Sequence, residues 1–167
     1  MIERREEKLT TTLAGDLVLR AATAGDRAAV EQLLRSHHLP IDGIGAALEG
    51  FVIAQSGDRV VGVIGLERWG AYGLLRSAAV DGAWQGHGIG RQLVERVLRD
   101  AESHDLSAVY LLTTTAERWF PAFGFVVTPR SEVPDAFRSS VEFQGACPAS
   151  AILMVRPVAR RVAAKVR

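Results

Sequence analysis

The chain has 167 residues, 48% of them hydrophobic and 23% charged, with a net charge of +1. That balance suits one globular domain with a sizeable core and excludes broad electrostatic attraction to nucleic acid or to an anionic membrane. No apolar run reaches the roughly 18 residues of a bilayer-spanning helix, the charged opening lacks a secretory apolar core, and the single cysteine, Cys147, excludes an intrachain disulfide. The expectation is a cytoplasmic domain, monomeric or homodimeric, without nucleic-acid or membrane partners.

In chain order, residues 1–16 read as a polar extension, 17–156 as one folded domain and 157–167 as a basic tail, either solvated or an interaction arm. Leu17-Val18-Leu19-Arg20 predicts a first strand. A helix follows with Ala29, Val30, Leu33 and Leu34 on one face, capped by Thr23 or Asp26 and ending at His37-His38-Leu39-Pro40. Residues 51–55 and 60–67 predict two strands of a hairpin, joined by Ser56-Gly57-Asp58-Arg59. Trp69-Gly70-Ala71-Tyr72-Gly73 turns tightly into a fourth strand, Leu74 to Val80. Beyond it, Leu93, Val94, Val97, Leu98 and Ala101 recur at helical spacing. Residues 108–113 predict a buried strand, 116–122 a short helix, 124–127 another strand, 128–148 a turn-rich stretch, and 151–155 the strand that closes the sheet. The class is α/β (α+β): a mixed sheet of six to seven strands with helices on both faces.

Between the fourth strand and its helix lie Gly86, Gly88 and Gly90, at alternate positions. Glycines let backbone N–H groups approach a ligand closely, and the first N–H groups of a helix are unpaired and sit at the positive end of its dipole. The stretch predicts a site for a phosphate or pyrophosphate. It is not a Walker A loop, because Gly90 is followed by Arg91-Gln92. Nor is it a dinucleotide fingerprint, because the sixth position counted from Gly86 is Arg91.

Gln85, Gly88 and Gly90, after the strand end Ala79-Val80, fit Gln/Arg-x-x-Gly-x-Gly/Ala, and this resembles the acetyl-CoA signature of the GNAT superfamily of N-acetyltransferases. The resemblance implies the GNAT fold over roughly residues 17–155, with the fourth and fifth strands splayed apart and acetyl-CoA as co-substrate in the wedge between them. By position, Ala78, Ala79 and Val80 would meet the pantetheine and thioester. Gln85, Gly86, His87, Gly88, Ile89, Gly90 and Arg91 would hold the pyrophosphate, with His87 alternatively a plain loop residue. Residues 112–125, Leu-Thr-Thr-Thr-Ala-Glu-Arg-Trp-Phe-Pro-Ala-Phe-Gly-Phe, resemble acetyltransferase domains of bacterial N-acetylglutamate synthases. Leu75-Arg76-Ser77, residues 112–116 and Cys147-Pro148-Ala149-Ser150-Ala151 are also similar to small acetyltransferases associated with arsenic resistance. The implied reaction is direct acetyl transfer to the amine of a small amino acid or glutamate-like analogue, including organoarsenical or phosphinothricin-like compounds. Acetylation of a protein N-terminus or aminoglycoside, and a non-catalytic acyl-CoA-binding module, are the alternatives.

Many members of that superfamily place a tyrosine four residues before the Gly-Phe glycine, to protonate the departing thiolate; here the position is Phe120. Arg76 lies mid-strand among apolar neighbours, where a guanidinium needs a partner. It either pairs with Glu67 on the preceding strand or grips a substrate oxyanion, with Glu67 then the catalytic base. Thr113 is the other expected acceptor-binding residue. Cys147 reads as a small hydrophobe rather than a nucleophile. The adjacent His37 and His38 do not suggest a metal centre, and no metal is expected.

Overall fold

A computed structural model describes residues 16–159. The expectations for the polar opening up to residue 15 and for the basic tail from residue 160 lie outside the described residues. Seven strands form one sheet in the order β1-β2-β3-β4-β5-β7-β6. They are β1 (Leu17–Ala21), β2 (Phe51–Ser56), β3 (Arg59–Trp69), β4 (Tyr72–Val80), β5 (Ala108–Thr113), β6 (Val126–Val127) and β7 (Ile152–Pro157). All neighbours are antiparallel except β4 and β5. The helices are α1 (Arg27–Ser36), α2 (Ile44–Ala47) and α3 (Ile89–Ser103).

The single parallel pair requires a crossover, and α3 supplies it. Its residues Ile89, Leu93, Val94, Val97, Leu98 and Ala101 are buried against Val52, Ala54, Val61, Ile64, Leu66 and Leu75 on one face of the sheet. The alternate residues Phe51, Ile53, Val63 and Ala79 point to the other face, where Val30, Leu33 and Leu34 of α1 cover them. The period of two along the strands thus distributes one apolar sequence between two cores. The α1 stripe is narrower than expected: Ala29 is exposed, because it lies about 100° around the helix from Val30, on the flank of the stripe.

Asp26 closes the start of α1. Its carboxylate accepts from the Thr23 N–H at 2.7 Å and hydroxyl at 3.0 Å, and from the Arg20 guanidinium at 2.7 and 2.9 Å. The Arg20 bonds, with those from Thr23, hold this carboxyl well below the usual range.

Three further expectations are corrected. Residues 116–122 do not form an α-helix; a 3-10 turn at Phe120–Phe123 replaces it, with Pro121 in its first turn and Gly124 ending it at φ 86°. The last strand does not close the sheet but inserts between β5 and β6, because its residues 152–157 find hydrogen-bonding partners on both sides. It also runs to Pro157, and Val158 beyond it is buried, so the folded domain passes the expected boundary at 156.

The β4–β5 pairing decides where a site can form. Only Tyr72 to Leu75 of β4 pairs with Ala108 to Leu111 of β5. Beyond Leu75 the β3–β4 register slips: Gly65 faces Arg76 while Val63 faces Ala79, so β4 carries one extra residue. Ser77 absorbs the slip at φ 56°, in the left-handed region that non-glycine residues seldom occupy. The bulge bends β4 away from its parallel neighbour and leaves the β5-facing edge of residues 77–80 without a strand partner.

Candidate active site

A cleft of about 850 Å³ occupies the gap where β4 and β5 part. Its walls take in residues 75–80 of β4, the turn into α3, residues 111–116, Trp119 and Phe120, His37 to Pro40, and Ala146 to Pro148. Two ends can be distinguished. At the Val80 end, Gly90 packs near Val80 and Trp119. At the Arg76 end, Arg76 bonds to the Asp42 carbonyl and to Glu142, drawing in the connection after α1 and the loop before β7. Val80 lies four residues beyond Arg76, at most about 13 Å away at 3.3 Å per residue, and less because of the bulge at Ser77.

The Val80 end has the chemistry of an anion site. Gly86 and Gly88 have φ 81° and 78°, so glycine there answers a backbone requirement, and a Cβ at either would meet only open space. Gly88 is the N-cap of α3 and offers no side chain to its first N–H groups. Gly88, Ile89, Gly90 and Arg91 all line the cleft, so the start of α3 forms part of its wall. Gly90 is helical rather than left-handed, and a Cβ there would touch Trp119 at an ordinary 3.5 Å. These features fit a pyrophosphate held by backbone N–H groups.

Several side chains in this stretch brace the turn. Gln85 Nε2 donates to the Val80 carbonyl at 3.1 Å. His87 Nδ1 lies 3.1 and 3.0 Å from the Trp84 and Gln85 carbonyls, which assigns the proton to that nitrogen. His87 is outside the cleft lining; its geometry is that of the plain loop residue rather than of a phosphate ligand. Asp81 accepts from the Ala83 N–H at 2.9 Å and fixes the chain as it leaves β4. Arg91 lies over the Phe123 ring, 5.2 Å from its centroid, which joins α3 to the 3-10 turn.

At the other end, Arg76 is the centre of a buried charge cluster, with only 1% of its side chain exposed. Nη1 donates to Glu67 Oε1 at 2.6 Å, Nη2 to the Asp42 carbonyl at 2.8 Å, and Nε lies 3.1 Å from Glu142 Oε1. Of the two readings of Arg76, this geometry realises the pair with Glu67. Glu67 is in register with Leu74, one pleat from Gly65, which faces Arg76, so the pair runs diagonally on one face of the sheet. The expectation that Glu67 acts as base is not matched by its position. Its carboxylate is taken up by Arg76, by Trp69 Nε1 at 2.9 Å and by the Ser140 hydroxyl at 3.4 Å. It lines a separate cavity of about 660 Å³ with Trp69 and Val141, not the main cleft. Thr113 does line the main cleft, but its hydroxyl accepts from the Ala116 N–H at 3.0 Å.

Glu142 escaped sequence reasoning because it lies in a turn-rich stretch with no periodicity to place it. The chain winds there as a π-turn, Glu142–Ala146, with Gly145 at φ 121°. The Cys147 thiol donates to the Glu142 carboxylate. Burial, reinforced by that hydrogen bond and by the Glu142 charge, pushes the thiol up to about 12, so it stays protonated at neutral pH and is no nucleophile. His37 and His38 also escaped notice as cleft residues; both line it. The cleft wall therefore holds arginines, imidazoles, hydroxyls and a neutral thiol, with no Asp or Glu among its described residues.

The acetyltransferase (GNAT) domain family model matches residues 47–127. An amino-acid acetyltransferase of Mycobacterium tuberculosis is 33% identical over an alignment of 118 residues that covers 65% of this chain and 67% of that protein. Rv2747 from Mycobacterium tuberculosis, solved in complex with CoA and NLQ, superposes with a TM-score of 0.73 at 26% identity, over 85% of this chain and 99% of the other. The N-acetylglutamate synthase of Neisseria gonorrhoeae, complexed with coenzyme A and N-acetyl-glutamate, superposes with a TM-score of 0.74 at 21% identity. That alignment covers 86% of this chain but 35% of the synthase, and at this identity it speaks for the fold. Among the described residues no helix is long and apolar enough to cross a membrane.

Two predictions follow from the cluster. Arg76→Gln leaves two buried carboxylates without their counter-charge, and urea denaturation should show a loss of about 3–5 kcal/mol; a loss under 1 kcal/mol would mean the carboxylates are readily hydrated. Iodoacetamide at pH 8 should label folded Cys147 at least roughly tenfold more slowly than the urea-unfolded chain, because only the thiolate reacts. Equal rates would show that the thiol is not held protonated.

Proposed function

The chain belongs to the GNAT family of acetyl-CoA-dependent acetyltransferases, and we propose that its acceptor is the amino group of a small acidic amino acid. Acetyl-CoA, the co-substrate, supplies an activated acetyl thioester. In this reading the N–H groups of residues 86–91 bind the pyrophosphate, and Gln85 and His87 stiffen the turn. The unpartnered edge of Ala78, Ala79 and Val80 receives the pantetheine arm, which directs the thioester toward Arg76. The acceptor enters at the end walled by His37 to Pro40, Thr113 and Cys147, and its nitrogen attacks the thioester carbon. A C–N bond forms, the C–S bond breaks, and no acyl-enzyme is needed.

The observation that carries the acceptor class is the absence of carboxylates from the described cleft wall. A polycationic aminoglycoside would need them as counter-charges, whereas an acidic amino acid meets hydroxyls and imidazoles there, without a carboxylate to repel it. The likeness to an amino-acid acetyltransferase over two thirds of that protein supports the same class. The chemistry extends to amino acids whose side-chain acid is a phosphinate or an arsenic oxyanion, since each offers charged oxygens in place of a carboxylate. Arg76 is committed to Glu67, Glu142 and the Asp42 carbonyl, so the acid group of the acceptor is met by the hydroxyls and imidazoles of the wall rather than by this guanidinium.

Thiol release from acetyl-CoA tests the acceptor. Glutamate-like acids should turn over at least roughly tenfold faster, in kcat/KM, than their side-chain amides, as expected if a charge-assisted bond of about 1.5–3 kcal/mol is lost. A preference for spermidine or kanamycin would overturn the reading. The turn is tested separately by calorimetric titration of acetyl-CoA. Gly88→Val imposes a strained backbone at φ 78° and should weaken binding at least roughly tenfold, while Gly90→Ala, in ordinary contact with Trp119, should stay within about threefold. Equal affinities would remove the turn from the binding site.

A further inference from the structure

We propose that His37 is the general base of the transfer, accepting the proton of the acceptor ammonium from within the cleft. The inference rests on the acetyl-transfer reading above. An amine reaches its site near neutral pH largely as the ammonium ion, which has no lone pair for attack, so a proton must leave before the C–N bond can form. The walls restrict what can take it. Glu67 and Glu142 are tied to Arg76, and neither lines the cleft. Cys147 donates its proton to Glu142, and Arg76 and Arg91 are permanent cations. Among the described wall residues that leaves His37 and His38.

The four histidines of the chain divide cleanly. His87 and His104 have their Nδ1 atoms against backbone carbonyls, at 3.0–3.1 Å and 2.7 Å, which commits those nitrogens to structure. The rings of His37 and His38 make no hydrogen bond to any described residue, so their nitrogens remain available to a ligand. His37 is the half-buried member of the pair and forms the C-cap of α1, with its N–H bonded to the Leu34 carbonyl at 3.1 Å. His38 is exposed, at φ 56°. The backbone of this segment is anchored further along, where the Asp42 carbonyl accepts from Arg76, so the imidazole of His37 is carried by a helix end rather than by a free loop. The other ionisable groups on the wall are His38, Arg76, Arg91 and Cys147; on α1 itself, Arg35 is paired with Glu31 at 3.5 Å.

The proton account closes without another reagent. The first ammonium proton passes to an imidazole nitrogen of His37 and then to water. The amine lone pair forms the C–N bond as the C–S electrons leave on sulfur. The second proton, shed by the acylated nitrogen, ends on the thiolate, which becomes the CoA thiol. Phe120, which lines the cleft without a proton to give, is consistent with that last transfer using the nitrogen's own proton.

The experiment compares wild type, His37→Ala, His38→Ala and His104→Ala in the thiol-release assay, with acetyl-CoA affinity measured alongside. His37→Ala should lower kcat/KM for the acceptor by about 10²–10⁴ while acetyl-CoA affinity is unchanged. Added imidazoles should restore its activity, with rescue rates rising with the basicity of the imidazole. Any loss in His38→Ala should be smaller than that in His37→Ala and should not be restored by imidazoles, and His104→Ala, outside the cleft, should match wild type. Retained activity in His37→Ala, a larger loss at His38, or rescue independent of basicity would overturn the proposal. If wild type acetylates some other amine but no amino acid, the acceptor reading falls and His37 is tested on that amine. If no amine supports release, both fall.

Discussion

The structure depends on how it accommodates one buried guanidinium. Arg76 sits on β4 with its side chain 1% exposed, and burying such a charge is costly unless it is paired and hydrogen-bonded. Glu67 from β3, Glu142 from the loop before β7 and the Asp42 carbonyl from the connection after α1 meet that need together. The second lone pairs are occupied as well, by Trp69 and Ser140 on Glu67 and by the Cys147 thiol on Glu142. A network satisfied this fully accepts few other arrangements of its members. It therefore ties together two irregular segments, 37–43 and 140–147, that are otherwise held by apolar contacts of Leu39, Ile41 and Phe143. From those segments, residues 37–40 and 146–147 wall the Arg76 end of the cleft.

The second constraint lies one residue further along the same strand. A sheet with all its strands paired would have no cleft between β4 and β5, and pairing does run regularly from Tyr72 to Leu75. The extra residue at Ser77 ends it. The bulge lies directly beside Arg76, whose Nε is 3.2 Å from the Ser77 hydroxyl, so the site that binds charge and the site that opens the sheet are adjacent. This proximity ties the cleft to the fold: the gap between β4 and β5 and the charge cluster at its end arise from three consecutive residues, Leu75, Arg76 and Ser77.

The cover on the α1 face of β4 and β5 is made by a loop rather than a helix. Phe137 is fully buried and packs edge-to-face on Tyr72 and Tyr110, with ring centroids 6.3 and 5.3 Å apart. Phe143 stacks on Phe137 at 5.9 Å. These aromatic contacts anchor the 3-10 turn Asp135–Ser139 and the π-turn after it, so Glu142 and Cys147 are delivered from a segment held down on both sides. A loop fixed in this way can vary its tip without disturbing the sheet, and its end, Ala146 to Pro148, reaches the cleft wall.

Local signals in the sequence determined the regular elements and the anion turn. The apolar periodicity of α3, the apolar runs of β2 and β3 with the polar turn between them, and the glycines at 86 and 88 each act over a few residues, and each was legible without a partner. The pairing of Arg76 with Glu67 was legible as one of two options, since a short turn between neighbouring strands keeps them in reach. What only the tertiary structure decided involves contacts distant in sequence or backbone states that the residue type does not announce. Glu142 lies 66 positions from Arg76 in a stretch without periodicity. Ser77 gives no sign of φ 56°, because serine takes that conformation only when the surrounding sheet imposes it. His37 and His38 looked like the end of a helix, and the structure puts them in the cleft wall because α1 packs beside β4 and the chain beyond it returns to Arg76 at Asp42. The insertion of β7 between β5 and β6 has the same origin: a strand's place in a sheet follows from which edges remain open after the others have paired, and no short-range pattern encodes it.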